Sequence, residues 1–251
     1  MRYLFIIIFL CSCSYEVSNP VMPLRDYTVN TGKTYYIKGD ATVEDIINVI
    51  NKNWHSRRQY KVIPLDFRYN LFKKIADAIT NFLWVDLDFR SLTNNTGIEI
   101  PDYCFSNKNI RSVMLSDSIS NIGIAAFADC KQLDTIRLSN QPTIIKANAF
   151  ANNKALTTII LNADIVEDYA FSNVGIVNLI IEDYTYIHPN AFSNASIINL
   201  QYNGTRTCIQ DWNVKVSNLY LPSVTNLQKQ GFTKDTILGV QQNNIKTNQT
   251  L

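Results

Sequence analysis

The sequence predicts an α/β solenoid: a strand-rich, right-handed coil of short parallel strands, closed at its N-terminal end by an α-helical cap. Three observations predict it. An apolar residue followed by a small residue and Phe recurs, with the Phe at positions 105, 127, 150, 171 and 192, spaced by 22, 23, 21 and 21 residues. Five or six residues after each Phe an L-x-x-L-x-L pattern opens, and its alternating tail gives a short strand with one buried face. Gly is sparse, at 8 residues, while hydrophobic residues make up 46% of 251, which suits a continuous core better than Gly-rich phosphate-binding loops.

Taken in chain order, the first element is a leader. Arg2 is followed by an apolar run from Tyr3 to Leu10. A bilayer-spanning helix needs about 20 residues, so this run suits the apolar region of a signal peptide instead. It ends in Leu10-Cys11-Ser12-Cys13, which resembles the lipobox of bacterial lipoproteins. The resemblance implies a signal peptide over 1–12 and lipidation of Cys13, with residues 13–30, including Pro20 and Pro23, as a tether. Residues 31–97 read as an N-terminal cap with irregular repeats. Tyr35-Tyr36-Ile37 is a strand, and Thr42-Val43-Glu44-Asp45 opens a helix with Val43, Ile46, Ile47 and Ile50 on one face. A second helix over Leu71 to Ala78 separates two weak copies of the strand pattern, Val62, Leu65, Phe67 and Trp84, Leu87, Phe89.

The regular repeats occupy 98–221. The apolar residue five positions before each Phe is Ile100, Ile122, Ile145, Val166 and Ile187. An Asn or Asp follows each Phe at 107, 129, 152, 173 and 194, placed to bond backbone groups at the turn. The triplets are Ile110, Val113, Leu115; Leu133, Ile136, Leu138; Leu156, Ile159, Leu161; Ile176, Leu179, Ile181; and Ile197, Leu200, Tyr202. A last weak copy is Val216, Leu219, Leu221. Eight stacked strands follow, with the Phe residues forming a spine, because no single unit buries its own face. Residues 222–240 form a C-terminal cap, with a short helix at 225–231 and Ile237, Leu238 and Val240 sealing the last coil. Residues 241–251 are polar and Asn-rich, and are expected to fray.

The period falls in the range of leucine-rich repeats, so the fold class is a leucine-rich-repeat solenoid. The units resemble the bacterial surface leucine-rich-repeat family of the BspA type, best at Phe127-Ala128-Asp129-Cys130-Lys131-Gln132-Leu133, and the resemblance covers residues 98 to 238. It implies a cell-surface, protein-binding module with adhesion as one role, facing a host or envelope protein. The alternative is a periplasm-facing scaffold for another envelope component. With the lipobox it also implies export and a lipid anchor at the outer membrane or cell surface.

Chemistry is thinly represented. Lys plus Arg exceed Asp plus Glu by only 23 to 21, which gives no footprint for nucleic acid. The five cysteines match no metal-ligand or redox spacing; the three outside the leader are Cys104, Cys130 and Cys208, and the first two read as buried thiols. His55 lies in a basic patch with Arg57 and Arg58, and His188 shares a turn slot with Gly123, Lys146 and Glu167, so neither reads as catalytic. No catalytic set, metal site or cofactor is expected.

Strand alternation then places two columns on the outer face of the sheet. One runs Asp66, Asp88, Met114, Arg137, Ile160, Ile180, Gln201, Tyr220. Beside it run Asp86, Ser112, Thr135, Thr158, Asn178, Asn199 and Asn218. The acids are expected to lie on a solvated strand face with Arg68 and Arg90. Met114, Arg137, Ile160, Ile180, Gln201 and Tyr220 are the candidate protein-binding face, an apolar patch with a polar rim.

Overall fold

The computed structural model describes residues 33–38, 40–51, 59–64, 70–79, 84–93, 96–139, 141, 143–181, 185–203 and 214–221, with short stretches at 236–237, 240–241 and 245–247. The leader, Cys13, the tether, Asp66, Arg68, His55, Cys208 and the helix expected at 225–231 lie outside them.

Within the described residues the strands of the regular repeats form and stack as a parallel β-solenoid, and two helices form ahead of them. One sheet has ten strands. In spatial order these are β1 (Lys33–Ile37), β2 (Gln59–Pro64), β3 (Trp84–Asp88), β5 (Ile110–Met114), β7 (Thr135–Arg137), β9 (Thr158–Leu161), β11 (Gly175–Ile181), β13 (Ser196–Tyr202), β14 (Lys215–Leu221) and β17 (Ile245–Thr247). The in-register pairs Val113↔Ile136, Ile136↔Ile159, Ile159↔Leu179 and Leu179↔Leu200 are the middle residues of the sequence triplets. Each of these side chains is buried. The sheet therefore exceeds the eight strands expected. β1 joins its N-terminal edge, and β17, inside the stretch expected to fray, pairs in parallel with β14 through Leu219↔Ile245.

A second sheet, which the sequence pattern did not reveal as strands, has five members: β4 (Ile98–Ile100), β6 (Ile119–Ile122), β8 (Ile144–Ile145), β10 (Ile165–Val166) and β12 (Tyr186–Ile187). Its buried column, Ile100, Ile122, Ile145, Val166 and Ile187, is the apolar position that precedes each Ala-Phe. A third, antiparallel pair joins β15 (Thr236–Ile237) and β16 (Val240–Gln241).

Between the small and the large sheet each coil turns through its Phe, and the turn has its own ladder. The amide of Phe105 donates to the Ala126 carbonyl, Phe127 to Ala149, Phe150 to Ala170 and Phe171 to Ala191, each at 2.8 Å. The rings of Phe105, Phe127, Phe150, Phe171 and Phe192 stack at centroid separations of 5.1 to 5.3 Å with interplanar angles of 1° to 11°. All five are fully buried. The slot before each Phe is Cys or Ala because a larger side chain would meet the neighbouring coil; Ala126, Ala149, Ala170 and Ala191 are buried and Cys104 half-buried.

The Asn and Asp column has a different basis from the one expected. Asn107, Asp129, Asn152, Asn173 and Asn194 all hold φ between 56° and 64°. This left-handed region is costly for most side chains and cheapest, after Gly, for Asn and Asp. The bonds across coils are made chiefly by the backbone of the column, as when the Asn107 amide donates to the Ala128 carbonyl at 2.8 Å and that of Asp129 to Ala151 at 2.9 Å. One side-chain bond, Asn173 Nδ2 to Asn152 Oδ1 at 2.8 Å, runs along it.

Helix α1 (Val43–Asn51) opens at Thr42, whose amide donates to the Asp45 carboxylate at 2.8 Å while the Asp45 amide donates to Thr42 Oγ1 at 3.1 Å. The reciprocal pair satisfies two amides at the helix start. Helix α2 (Leu71–Ala78) lies between β2 and β3 and buries Leu71, Phe72, Ile75, Ala76 and Ala78. Phe72 meets Phe89 edge-on at 5.0 Å and Phe105 at 6.3 Å, which extends the aromatic spine past the first regular coil.

Candidate functional site

The outer face of the large sheet is built by register. Met114 pairs with Arg137, Arg137 with Ile160, Ile160 with Ile180, Ile180 with Gln201 and Gln201 with Tyr220, so the expected column is continuous. Its exposure differs from the expectation. Arg137 is exposed, Met114, Ile160 and Ile180 are half-buried, and Gln201 and Tyr220 are buried. Strands in a sheet lie about 4.8 Å apart, so each outward side chain is flanked by its equals in the coils on either side. Gln201 lies between Ile180 and Tyr220 and donates to Asn203 Oδ1 at 2.9 Å, while Tyr220 follows Gln201 in the same column. Met114, Arg137, Ile160 and Ile180 remain the reachable part of the candidate face.

The neighbouring polar column forms a partial amide ladder. Asn199 Nδ2 donates to Asn178 Oδ1 at 2.9 Å, and Asn218 Nδ2 to Asn199 Oδ1 at 3.0 Å. Side-chain amides stacked in register satisfy one another and stiffen this face.

The acidic end is not a solvated face. Asp86 and Asp88 are 3% and 4% exposed. Arg111 grips Asp86 with both arms of its guanidinium, at 3.0 and 2.8 Å, and Ser112 Oγ donates to the same carboxylate at 2.7 Å. Asp88 takes Arg90 at 2.9 and 2.7 Å and Lys61 at 2.7 Å. Burial pushes the Asp88 carboxyl up, but the hydrogen bonds and charges of Arg90 and Lys61 outweigh it and hold the group at about 2. The two carboxylates are thus saturated by cations from three coils, an arrangement suited to holding the sheet together.

Of the two thiols expected to be buried, Cys130 is, while Cys104 is only half-buried. Cys130 is fully buried and its Sγ donates to the Phe105 carbonyl at 3.1 Å; in the next coil Asn153 takes the same place and donates from Nδ2 to the Phe127 carbonyl at 2.9 Å. Burial raises the Cys104 and Cys130 thiols to about 12, which suppresses thiolate chemistry at neutral pH. His188 is half-exposed with Nδ1 against Asp168 Oδ1. Among the described residues no cluster of His, Cys, Asp or Glu could hold a metal ion, and no helix is long and apolar enough to cross a membrane.

Stacked coils, a buried aromatic spine and continuous outward columns define the described body as a parallel β-solenoid of repeats. Residues 98–220 match the model of the BspA type leucine-rich repeat region, in six copies, so this stretch is similar to the repeats of that family. No curated protein and no solved structure matches the chain.

Proposed function

We propose that the chain is a protein-binding repeat module held at the cell envelope by a lipid on Cys13, with external recognition, including adhesion, as its role. The observation that carries this reading is the run of BspA-type repeats over 98–220, since leucine-rich repeats generally mediate contacts between proteins. The Met114, Arg137, Ile160 and Ile180 column supports it, because it offers apolar and cationic side chains at fixed spacing on a rigid sheet. In this reading α1 and α2 close the N-terminal end of the core, and the leader and tether deliver the solenoid outward.

An impermeant protease applied to intact cells, with a periplasmic marker as control, tests the location. Loss of the protein with the marker intact is the expected result; protection of both favours an internal scaffold. Mass spectrometry of the mature N-terminus reads the lipid, which a Cys13→Ser variant abolishes. For the face, surface crosslinking compares wild type with an Ile160→Asp, Ile180→Asp double variant of unchanged circular dichroism. Disappearance of the partner band is expected, and an undiminished band overturns the assignment of that face.

A further inference from the structure

Of the eight large hydrophobic residues exposed among the described ones, Tyr36, Trp84 and Ile198 lie on the large sheet and the other five lie on or beside the small one. Of the described large hydrophobic residues that stay exposed, Ile165 (36%) and Tyr186 (40%) lie on the small sheet, and Tyr103 (65%), Ile124 (36%) and Tyr169 (44%) lie on the turns that leave it. Ile144, Ile165 and Tyr186 are register partners on three successive strands and form one outward apolar stripe, continued by Asn121 and Glu99 on the first two.

Charge beside the small sheet is mostly acidic. Glu99, Asp102, Asp164, Glu167 and Asp168 flank the stripe, all at least partly exposed. Of the six bases in 98–203 only Lys146 stands beside the small sheet, directly after β8 and bound to Glu99, and His188 lies against Asp168. Lys108, Lys131 and Lys154 follow the Phe turns, and Arg111 and Arg137 belong to the large sheet.

We propose that the small-sheet face is a second binding surface, and that its occupant is an extended, Lys- or Arg-bearing polypeptide segment with interspersed apolar side chains. Apolar side chains would lie on Ile144 and Ile165 and cations would meet the carboxylates and the faces of Tyr103, Tyr169 and Tyr186, where rings attract positive charge. The five strands span about 19 Å at a spacing of about 4.8 Å, the length of roughly six extended residues at about 3.3 Å each. That footprint is small for two globular surfaces, which cover about 800 Å² per partner, and it suits a single segment. The same carboxylates repel an anionic lipid surface, which argues against the membrane as occupant. This surface does not depend on the large-sheet face proposed above.

The test uses the full chain and a fluorescent octapeptide alternating Arg and Leu, with an octapeptide alternating Glu and Leu as its counterpart, both read by anisotropy. The Arg peptide is expected to bind more tightly than the Glu peptide and to weaken between 0.05 and 0.3 M salt. An Ile165→Ser, Tyr186→Ser double variant should weaken it at least tenfold. A Glu99→Gln, Asp164→Asn double variant should weaken it severalfold and flatten the salt dependence. An Ile160→Ser, Ile180→Ser double variant of the large sheet should leave it unchanged, with circular dichroism confirming that all three fold. Equal binding of the two peptides, an unaltered affinity in the Ile165/Tyr186 variant, or an equal loss in the large-sheet variant would overturn the proposal.

Discussion

Gly123 occupies a slot that Lys146, Glu167 and His188 fill in later coils, and by sequence that slot tolerates any side chain. In its own coil it does not. A Cβ at 123 would lie 2.6 Å from the Asp102 amide nitrogen, from Asp102 Oδ1 and from the Ile100 carbonyl oxygen. The register of β4 against β6 shifts between Ile98 and Glu99, and Asp102 Oδ1 accepts the Ile124 amide at 2.7 Å, so the first turn is drawn in. Gly123→Ala is expected to cost about 1–3 kcal/mol, because backbone must move, whereas Lys146→Ala should stay within about 1 kcal/mol. Urea unfolding of the two variants measures the contrast, and equal midpoints would refute it. Asn153 makes a complementary case. Its Nδ2 serves the carbonyls of Phe127 and Phe150 at 2.9 and 3.0 Å, while its Oδ1 is buried without a partner. Asn153→Ala strands two buried carbonyls and is expected to cost about 2–3 kcal/mol. Asn153→Cys keeps one weak donor, as Cys130 does one coil earlier, and removes the unpaired oxygen, so it should cost less than half as much. A Cys variant no more stable than the Ala variant would show that the slot is filled for volume alone.

Among the elements, the large sheet was legible because each regular coil carries a triplet of apolar positions whose last two alternate, and the Phe spine because its period is nearly constant. The small sheet was not, because its strands are only two to four residues long. Two residues cannot display an alternation, and Ile100 through Ile187 read simply as a prelude to Ala-Phe. β17 was hidden for a related reason, since Ile245-Lys246-Thr247 sits in a polar, Asn-rich stretch and forms only because the β14 edge offers it a register. The candidate face was legible in direction but not in exposure, since what buries Gln201 and Tyr220 comes from other coils. The acids show the same limit. Alternation correctly turns Asp86 and Asp88 away from the core, but their burial depends on Lys61 and on Arg111, 25 residues beyond Asp86, and nothing local announces either. The ion network carries a pH prediction. The folded Asp88 carboxyl is held at about 2, below its usual 3.8. Its contribution is therefore present above about pH 4 and lost as pH falls toward 2, where the folded state must bind the proton it resists. The half-exposed Arg90 weakens the coupling, so the loss is on the order of 1–2 kcal/mol. Asp88→Asn should be less stable than wild type at pH 7, and the gap should close by pH 2; a gap independent of pH would mean that the carboxylate charge is immaterial.

At the scale of the whole molecule, the three ladders and the Phe stack repeat the same contacts from coil to coil, so stability is expected to behave as a sum of nearest-neighbour terms along one axis. Such an object tolerates the loss of a whole coil and not of half a coil. Deleting residues 150–170 joins Ala149 to Phe171, and the main slots then meet their equivalents: Phe171 takes the place of Phe150 over Phe127, Asn173 that of Asn152, and Leu179 that of Ile159 between its neighbours, while Val174 replaces Asn153 and leaves the Phe127 carbonyl without its side-chain donor, a local cost of about 1–3 kcal/mol. The backbone ladder survives too, because the Phe127 amide needs only a carbonyl in the place of Ala149, which the deletion keeps. The shortened protein should fold cooperatively with the same circular dichroism per residue, and its urea dependence should fall in proportion to the surface removed. Deleting residues 150–160 removes the Phe150 turn and all of β9 but Leu161 while keeping β10, so that Leu161 meets the place of a Phe and the spine, the small sheet and the large sheet fall out of register together. That chain should be aggregated or molten on size exclusion and near-ultraviolet circular dichroism. Comparable folding of the two deletions would show that the coils are held by something other than their mutual register.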